Sequence, residues 1–240
     1  MNFLDCTLPT VAENLALDEA MLLLAEEGQF SECLRLWDAT SCFVVLGRGS
    51  KHAIEVNLAQ ASFHHIPVFR RISGGATVLA APGCMFYSAL LSLDERPHLR
   101  MLDQAHQFVM GRVQAAVAEF LPTVQLQGTC DLTLDNKKVS GNSLRIARDW
   151  VLYHGTLLLE MDLSLVDQYL RHPPREPDYR EKRSHGVFVQ NLGIARHDLA
   201  QQLVQSWDAS MKVSLDGVLQ SKVTELVSSR YSLDSWNLSR

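Results

Sequence analysis

His65-Ile66-Pro67-Val68-Phe69-Arg70-Arg71-Ile72-Ser73-Gly74-Gly75-Ala76-Thr77-Val78 is the stretch on which the reading of this chain turns. The apolar segment 65–69 reads as a strand, and alternation resumes at Thr77-Val78-Leu79. Between them stand two arginines, a serine and a glycine pair. Glycines let backbone N–H groups approach a ligand with no Cβ in the way, and successive free N–H groups form a nest for anions. Arginine adds a fixed fork of donors matching carboxylate or phosphate oxygens. The stretch is therefore read as a strand, a binding loop for a phosphate or acyl-phosphate, and a second strand. The competing reading is a plain glycine turn with its arginines solvated outside.

Outward from this loop, the pattern alternates between strands and helices. Residues 13–25 form an amphipathic helical pattern, with Thr10 as N-cap, Glu13 completing a capping box and Gly28 beyond the end. Residues 33–37 alternate, and 42–46 are continuously apolar until Gly47-Arg48-Gly49. A short helix is predicted over 57–64, a strand over 85–93 and a long helix over 102–120, ending at Pro122. Residues 131–135 alternate, and Asn136-Lys137 is expected to turn a hairpin into Lys138-Val139-Ser140. A strand follows at 150–159 and a short helix at 163–170, and the region from Asp198 onward is mostly helical. Strands in hairpin order with helices at intervals predict an α+β fold, with a mixed, largely antiparallel sheet packed with helices.

Composition narrows the function. The 240 residues are 47% hydrophobic and 20% charged, as expected of a soluble globular protein with a sizeable core. A net charge of −5 argues against non-specific nucleic-acid binding and against anionic membranes. No apolar run is long enough to span a bilayer, and Met1-Asn2-Phe3-Leu4-Asp5 has no signal-peptide character. The five cysteines, Cys6, Cys33, Cys42, Cys84 and Cys130, are scattered without a C-x-x-C pair, which fits buried thiols in a reducing compartment. A cytoplasmic location is expected.

Two further stretches carry chemistry. Gly128-Thr129-Cys130-Asp131 is followed by Lys138-Val139-Ser140-Gly141-Asn142, which places an ammonium beside small residues, suited to a phosphate or a developing oxyanion. In Tyr153-His154-Gly155-Thr156-Leu157-Leu158 a histidine lies in an apolar strand and needs a hydrogen-bond partner if it faces inward.

Taken in order, 71–78, 138–142 and 154–158 resemble the motifs of lipoate–protein ligases. The flanks Glu13-Asn14-Leu15-Ala16-Leu17-Asp18-Glu19, Glu55-Val56-Asn57 and Pro82-Gly83-Cys84-Met85-Phe86-Tyr87-Ser88 are similar too, so that the likeness covers about Pro9 to Leu170. The resemblance implies a biotin/lipoate ligase-type catalytic domain that joins lipoate (or octanoate) and ATP, with Mg²⁺, into acyl-AMP. The acyl group then passes to a lysine of a carrier domain, in a 2-oxoacid dehydrogenase complex or the glycine cleavage H protein. Lys138 would be the catalytic lysine. Arg71, Ser73, Gly74, Gly75, Ala76 and Val78 would bind the acyl-adenylate together with Ser140, Gly141, His154, Gly155 and Thr156. Asp131 would stand near the nucleotide and its Mg²⁺. Leu17, Val78, Tyr87 and the strand around Val45 are candidates to line an acyl slot.

Departures from the family pattern frame the alternatives. Ala76 replaces a third glycine, and Ala80-Ala81 replaces a histidine–aspartate pair. The expectation is one catalytic domain over 1–240 without a separate C-terminal accessory domain, with a separate accessory chain as the alternative source of that part. The rivals are an octanoyl- or lipoyltransferase using a cysteine thioester, for which neither transferase position holds a cysteine, a biotin ligase, and a non-catalytic binding module. Residues 171–185 are too polar for core and fit a nucleotide cap, a contact for an acidic carrier domain, or a solvated loop.

Overall fold

The computed structural model describes residues 1–240. The chain begins with β1 (Asn2–Asp5), α1 (Val11–Glu26), β2 (Cys33–Asp38) and β3 (Phe43–Leu46). The short helices α2 (His52–Glu55) and α3 (Leu58–Phe63) precede β4 (Val68–Arg70), β5 (Val78–Ala80) and β6 (Cys84–Ser92). Next come α4 (Leu102–Ala118), β7 (Gln125–Gln127), β8 (Asp131–Leu134), β9 (Lys137–Ser140), β10 (Asn142–Ile146) and β11 (Trp150–Leu158). The remainder holds α5 (Ser164–Tyr169), α6 (His185–Phe188), α7 (Arg196–Ser206), β12 (Met211–Lys212), α8 (Gly217–Leu226) and α9 (Asp234–Asn237).

The main sheet has the order β10-β11-β6-β2-β1-β12. Its first four strands are antiparallel neighbours, and β1 runs parallel to both β2 and β12. The sheet is thus mixed and mainly antiparallel, as predicted. Two three-stranded sheets, β4-β3-β5 and β7-β8-β9, stand apart from it. The alternating phase of a strand splits the core between the faces of the main sheet. Phe86 and Leu90 of β6 join α1, α8 and the β3 sheet, whereas Met85, Tyr87, Ala89 and Leu91 join α4 and α7.

Helix α1 starts where the capping box predicts. Glu13 N donates to Thr10 Oγ1 at 3.2 Å, and Thr10 N donates to Glu13 Oε2 at 2.8 Å. It is buried nearly all round, because α8 covers the side that the main sheet does not. The hairpin turn lies one residue earlier than predicted: Asp135 and Asn136 take φ of 49° and 58° and join β8 to β9. Asx side chains tolerate the left-handed region better than lysine does, so Lys137 opens β9 instead. Strands β1, β7, β10 and β12 lack the alternation or length that would have marked them in the sequence.

Candidate functional site

The cross-strand register builds a polar row into the apolar face beneath α1. Arg35 of β2 pairs with Ser88 of β6, Ser88 with His154 of β11, and His154 with Ser143 of β10. Asp18 of α1 sits over this row. Its Oδ1 accepts from Arg35 Nη1 at 2.6 Å, and its Oδ2 accepts from Ser88 Oγ at 2.7 Å and lies 3.5 Å from His154 Nδ1. Burial raises the Asp18 carboxyl, but Arg35 and His154 outweigh it and hold the carboxyl below its ordinary range. Removing Asp18 would strand the wholly buried Arg35 charge. Asp18→Ala is therefore expected to destabilise the fold by about 3–5 kcal/mol in urea denaturation.

The row ends on the glycine loop. His154 Nε2 lies 2.5 Å from Ser73 Oγ, which also accepts from Arg71 Nε at 3.0 Å. The imidazole thus bridges the two, with Nδ1 facing Asp18 and Nε2 facing Ser73. The Arg71 guanidinium further donates to Val45 O at 3.3 Å, Ala76 O at 3.0 Å and Gly74 O. Burial lowers its pKa to about 10. Arg70 is held likewise: Nη1 donates to Gly47 O and Ser50 O, both at 2.8 Å, and Nε to Trp236 O at 3.1 Å, while Nη2 is buried without a partner. Both arginines therefore brace the loop through its own carbonyls and those of neighbouring elements. This corrects the reading of the pair as free forks for a bound anion.

The loop's free donors are in the backbone. The N–H groups of Gly74, Gly75 and Ala76 have no protein acceptor. Gly75 takes φ of 85°, while Ala76 stays out of the positive region, which is why a methyl is tolerated where a third glycine was expected. Beyond the loop, the buried Glu55 carboxylate accepts from Thr77 N at 3.1 Å and Thr77 Oγ1 at 2.7 Å.

Opposite stands Lys138 on β9. Its Nζ lies 2.7 Å from Asp131 Oδ1, and Asp131 Oδ2 accepts from Tyr179 Oη at 2.8 Å. The lysine borders two adjoining cavities that share Ala76, Thr77, Val78, Gly141 and Thr156. The first, about 100 Å³, has Leu15, Trp37, Val45, Val78 and Phe86 along it and His154, Gly155 and Arg71 at its polar end. The second, about 130 Å³, has Arg171, Arg175 and Arg180 on one side and an equally apolar wall that includes Leu79, Leu158, Met161 and Leu170.

Most of the predicted residues converge on these cavities, and the exceptions are informative. Ser73 and Gly74 face an outer groove, Gly75 packs against Gly47, and Asp131 reaches the site through Lys138. Leu15 and Phe86 line the slot where Leu17 and Tyr87 were expected. Tyr87 points to the opposite face of β6, and its hydroxyl donates to Asn142 Oδ1 at 2.5 Å. Segment 171–185 is no free loop: Tyr179 reaches Asp131, Arg183 Nη1 donates to Asn136 O at 2.9 Å, and Arg180 stacks on Phe188. Sequence reasoning missed Asp18, Ser88 and Arg35 as a unit, Asn142, Gly47, and the contribution of Trp236 and Asn237. The only sequence signal for the unit was polar residues inside otherwise apolar segments.

Among His, Cys, Asp and Glu side chains, no group of three or more comes together to hold a metal. Asp131 is one carboxylate, enough for a Mg²⁺ that is held mainly by substrate phosphates. No helix is long and apolar enough to cross a membrane.

The chain has the biotin/lipoate ligase-type catalytic fold. A T. acidophilum protein described as a lipoate protein ligase, with bound lipoic acid, superposes with a TM-score of 0.79 at 18% identity, over 100% of this chain and 98% of that one. A model of the lipoyl protein ligase A/B catalytic domain matches residues 10–206, and the chain belongs to that family. A Mycoplasma pneumoniae relative named "Probable lipoate-protein ligase A" is 30% identical over 161 residues, covering 65% of this chain and 45% of the relative. The octanoyltransferase LipM of Brevibacillus brevis is 24% identical over 263 residues, covering 95% of each. The chain spans under half the length of the Mycoplasma ligases that it matches.

Proposed function

We propose that the chain is an ATP-dependent lipoate–protein ligase acting on lipoate or octanoate. The observation that carries this reading is that one ammonium, Lys138, borders both an apolar slot and an arginine-walled cavity. The acyl chain fits the slot, where burial supplies about 0.8 kcal/mol per CH₂. The nucleotide fits the cavity of Arg171, Arg175 and Arg180, with its phosphates toward the free amide of Ala76. A carboxylate oxygen of lipoate attacks the α-phosphorus of ATP, the bond to pyrophosphate breaks, and acyl-AMP forms. Lys138 neutralises the charge that develops on the α-phosphate and the acyl carbonyl. Asp131 and Tyr179 fix the ammonium, and Asp131 would share a Mg²⁺ brought by the phosphates. A lysine of a lipoyl-carrier domain, from a 2-oxoacid dehydrogenase complex or the H protein, then displaces AMP.

The test is to incubate the purified chain alone with ATP, Mg²⁺ and lipoate, and to look for lipoyl-AMP by mass spectrometry. Acyl-AMP formation supports both the reading and self-sufficiency over 1–240. If it appears only when a second chain is added, the accessory-chain alternative holds.

The end-to-end likeness to an octanoyltransferase favours a second reading, acyl transfer between carriers through a cysteine thioester. No cysteine lines either cavity. The nearest candidate, Cys130, donates from Sγ to Asn142 O at 3.2 Å, and burial together with Asp131 pushes its thiol up to about 11. That is the wrong direction for a nucleophilic thiolate. Cys130→Ala is expected to leave lipoate ligation unchanged, measured as modified carrier per minute. Collapse of activity in that variant would instead favour the thioester route.

A further inference from the structure

On the outer side of the glycine loop lies an open groove of about 530 Å³, bordered by Ser73, Gly74, Arg48, Leu144, Arg145 and Ile146. Its floor is β10, the end strand of the main sheet, which has a neighbour on one side only. Thr156 N donates to Gly141 O at 3.0 Å and Ala147 N to Trp150 O at 2.9 Å, which fixes the phase of the ladder. Residues 141, 143, 145 and 147 bond toward β11, so Leu144 and Ile146 turn their N–H and C=O groups to the open edge. Arg48 and Arg145 are exposed and neither is in an ion pair; Arg240 borders the groove as well, and no Asp or Glu does, in a chain of net charge −5. Leu102, 57% exposed, adds an apolar rim.

We propose that this groove docks the acyl-acceptor domain, an acidic partner that adds a strand to the free edge of β10. This rests on the ligase reading above. An exposed arginine on an edge strand also discourages aggregation, but a second unpaired arginine across the groove and an apolar rim go beyond that need. The geometry explains delivery. Asn142 and Ser143 line the acyl slot at the start of β10, and Ser143 Oγ donates to Gly74 O at 3.0 Å. A strand pairing with Leu144 and Ile146 ends at the mouth of the slot. There its lysine amine attacks the acyl carbonyl, a C–N bond forms, the C–O bond to AMP breaks, AMP departs with the electron pair, and the amine loses a proton. Backbone pairing supplies affinity without reading the partner's sequence, and the arginines select for acidic surfaces.

Two variants test this with the lipoyl-carrier domain of a 2-oxoacid dehydrogenase as probe. In the double variant Arg48→Glu/Arg145→Glu, pyrophosphate release with free lipoate should stay at the unaltered level, while KM for the carrier domain rises about ten-fold or more. Ile146→Pro, which removes one outward N–H and leaves the ladder to β11 intact, should give the same split. An unchanged KM in both variants overturns the docking surface. Loss of pyrophosphate release in the unaltered chain overturns the ligase reading instead. Docking is then read by calorimetric titration of the carrier domain: about ten-fold weaker binding to the double variant sustains it, and equal binding overturns it.

Discussion

Lys138→Ala is expected to lower the rate of acyl-AMP formation by about 10²–10³-fold, the loss typical of removing one preorganised donor from a developing oxyanion. The fold should survive, because the side chain is 27% exposed and its removal leaves Asp131 hydrogen-bonded to Tyr179. Position matters as much as charge. A Cβ at Gly141 would lie 2.9 Å from Lys138 Cε and 3.1 Å from its Nζ, so this glycine makes room for the lysine to lie across the strand end. Lys138→Arg is not a conservative change here, since a planar fork does not fit a path shaped for a slender stem. The measurement is pyrophosphate release with lipoate and ATP, alongside far-ultraviolet circular dichroism. Activity within a few-fold of the unaltered protein, with an intact spectrum, would refute the assignment of Lys138.

Gly47→Ala should produce a loss of comparable size from a residue that need touch no substrate. A Cβ there would sit 2.0 Å from Gly75 O and 3.2 Å from Gly74 O. No such contact is tolerable, so the glycine loop must shift outward by roughly an ångström, a displacement that can cost about 10²-fold in rate. The shift would also strain the hydrogen bonds from Arg71 to Gly74 O and Ala76 O. The expected result is a fall in kcat for adenylation of about 10²-fold in a chain that still folds. A variant with normal kcat would show that the loop does not need its present position.

Much of this site was legible in one dimension because its chemistry is local. The glycine pair, the capping box of Thr10 and Glu13, and the hairpin that presents Lys138 are each written within a few consecutive residues. The phase of a strand was harder to read in continuously apolar segments. Residues 84–92 carry no alternation of polarity, since both faces of β6 are buried, so Tyr87 was expected in the slot that Phe86 occupies. The arginine pair misled for a different reason. A guanidinium beside glycines looks free until the carbonyls of Val45, Gly47, Ser50 and Trp236, distant in the chain, are brought to it.

The order of motifs and their spacing were enough to determine a strand–glycine loop–strand unit, a lysine beyond a turn, and an α+β chain able to bury them. Only the folded sheet decided that Arg35, Ser88, His154 and Ser143 lie in one row under Asp18, and that Lys138 looks into two cavities at once. The physical reason is register. Which residues become neighbours across strands depends on pairing between segments scores of residues apart, and a shift of one position would turn every one of these side chains to the other face.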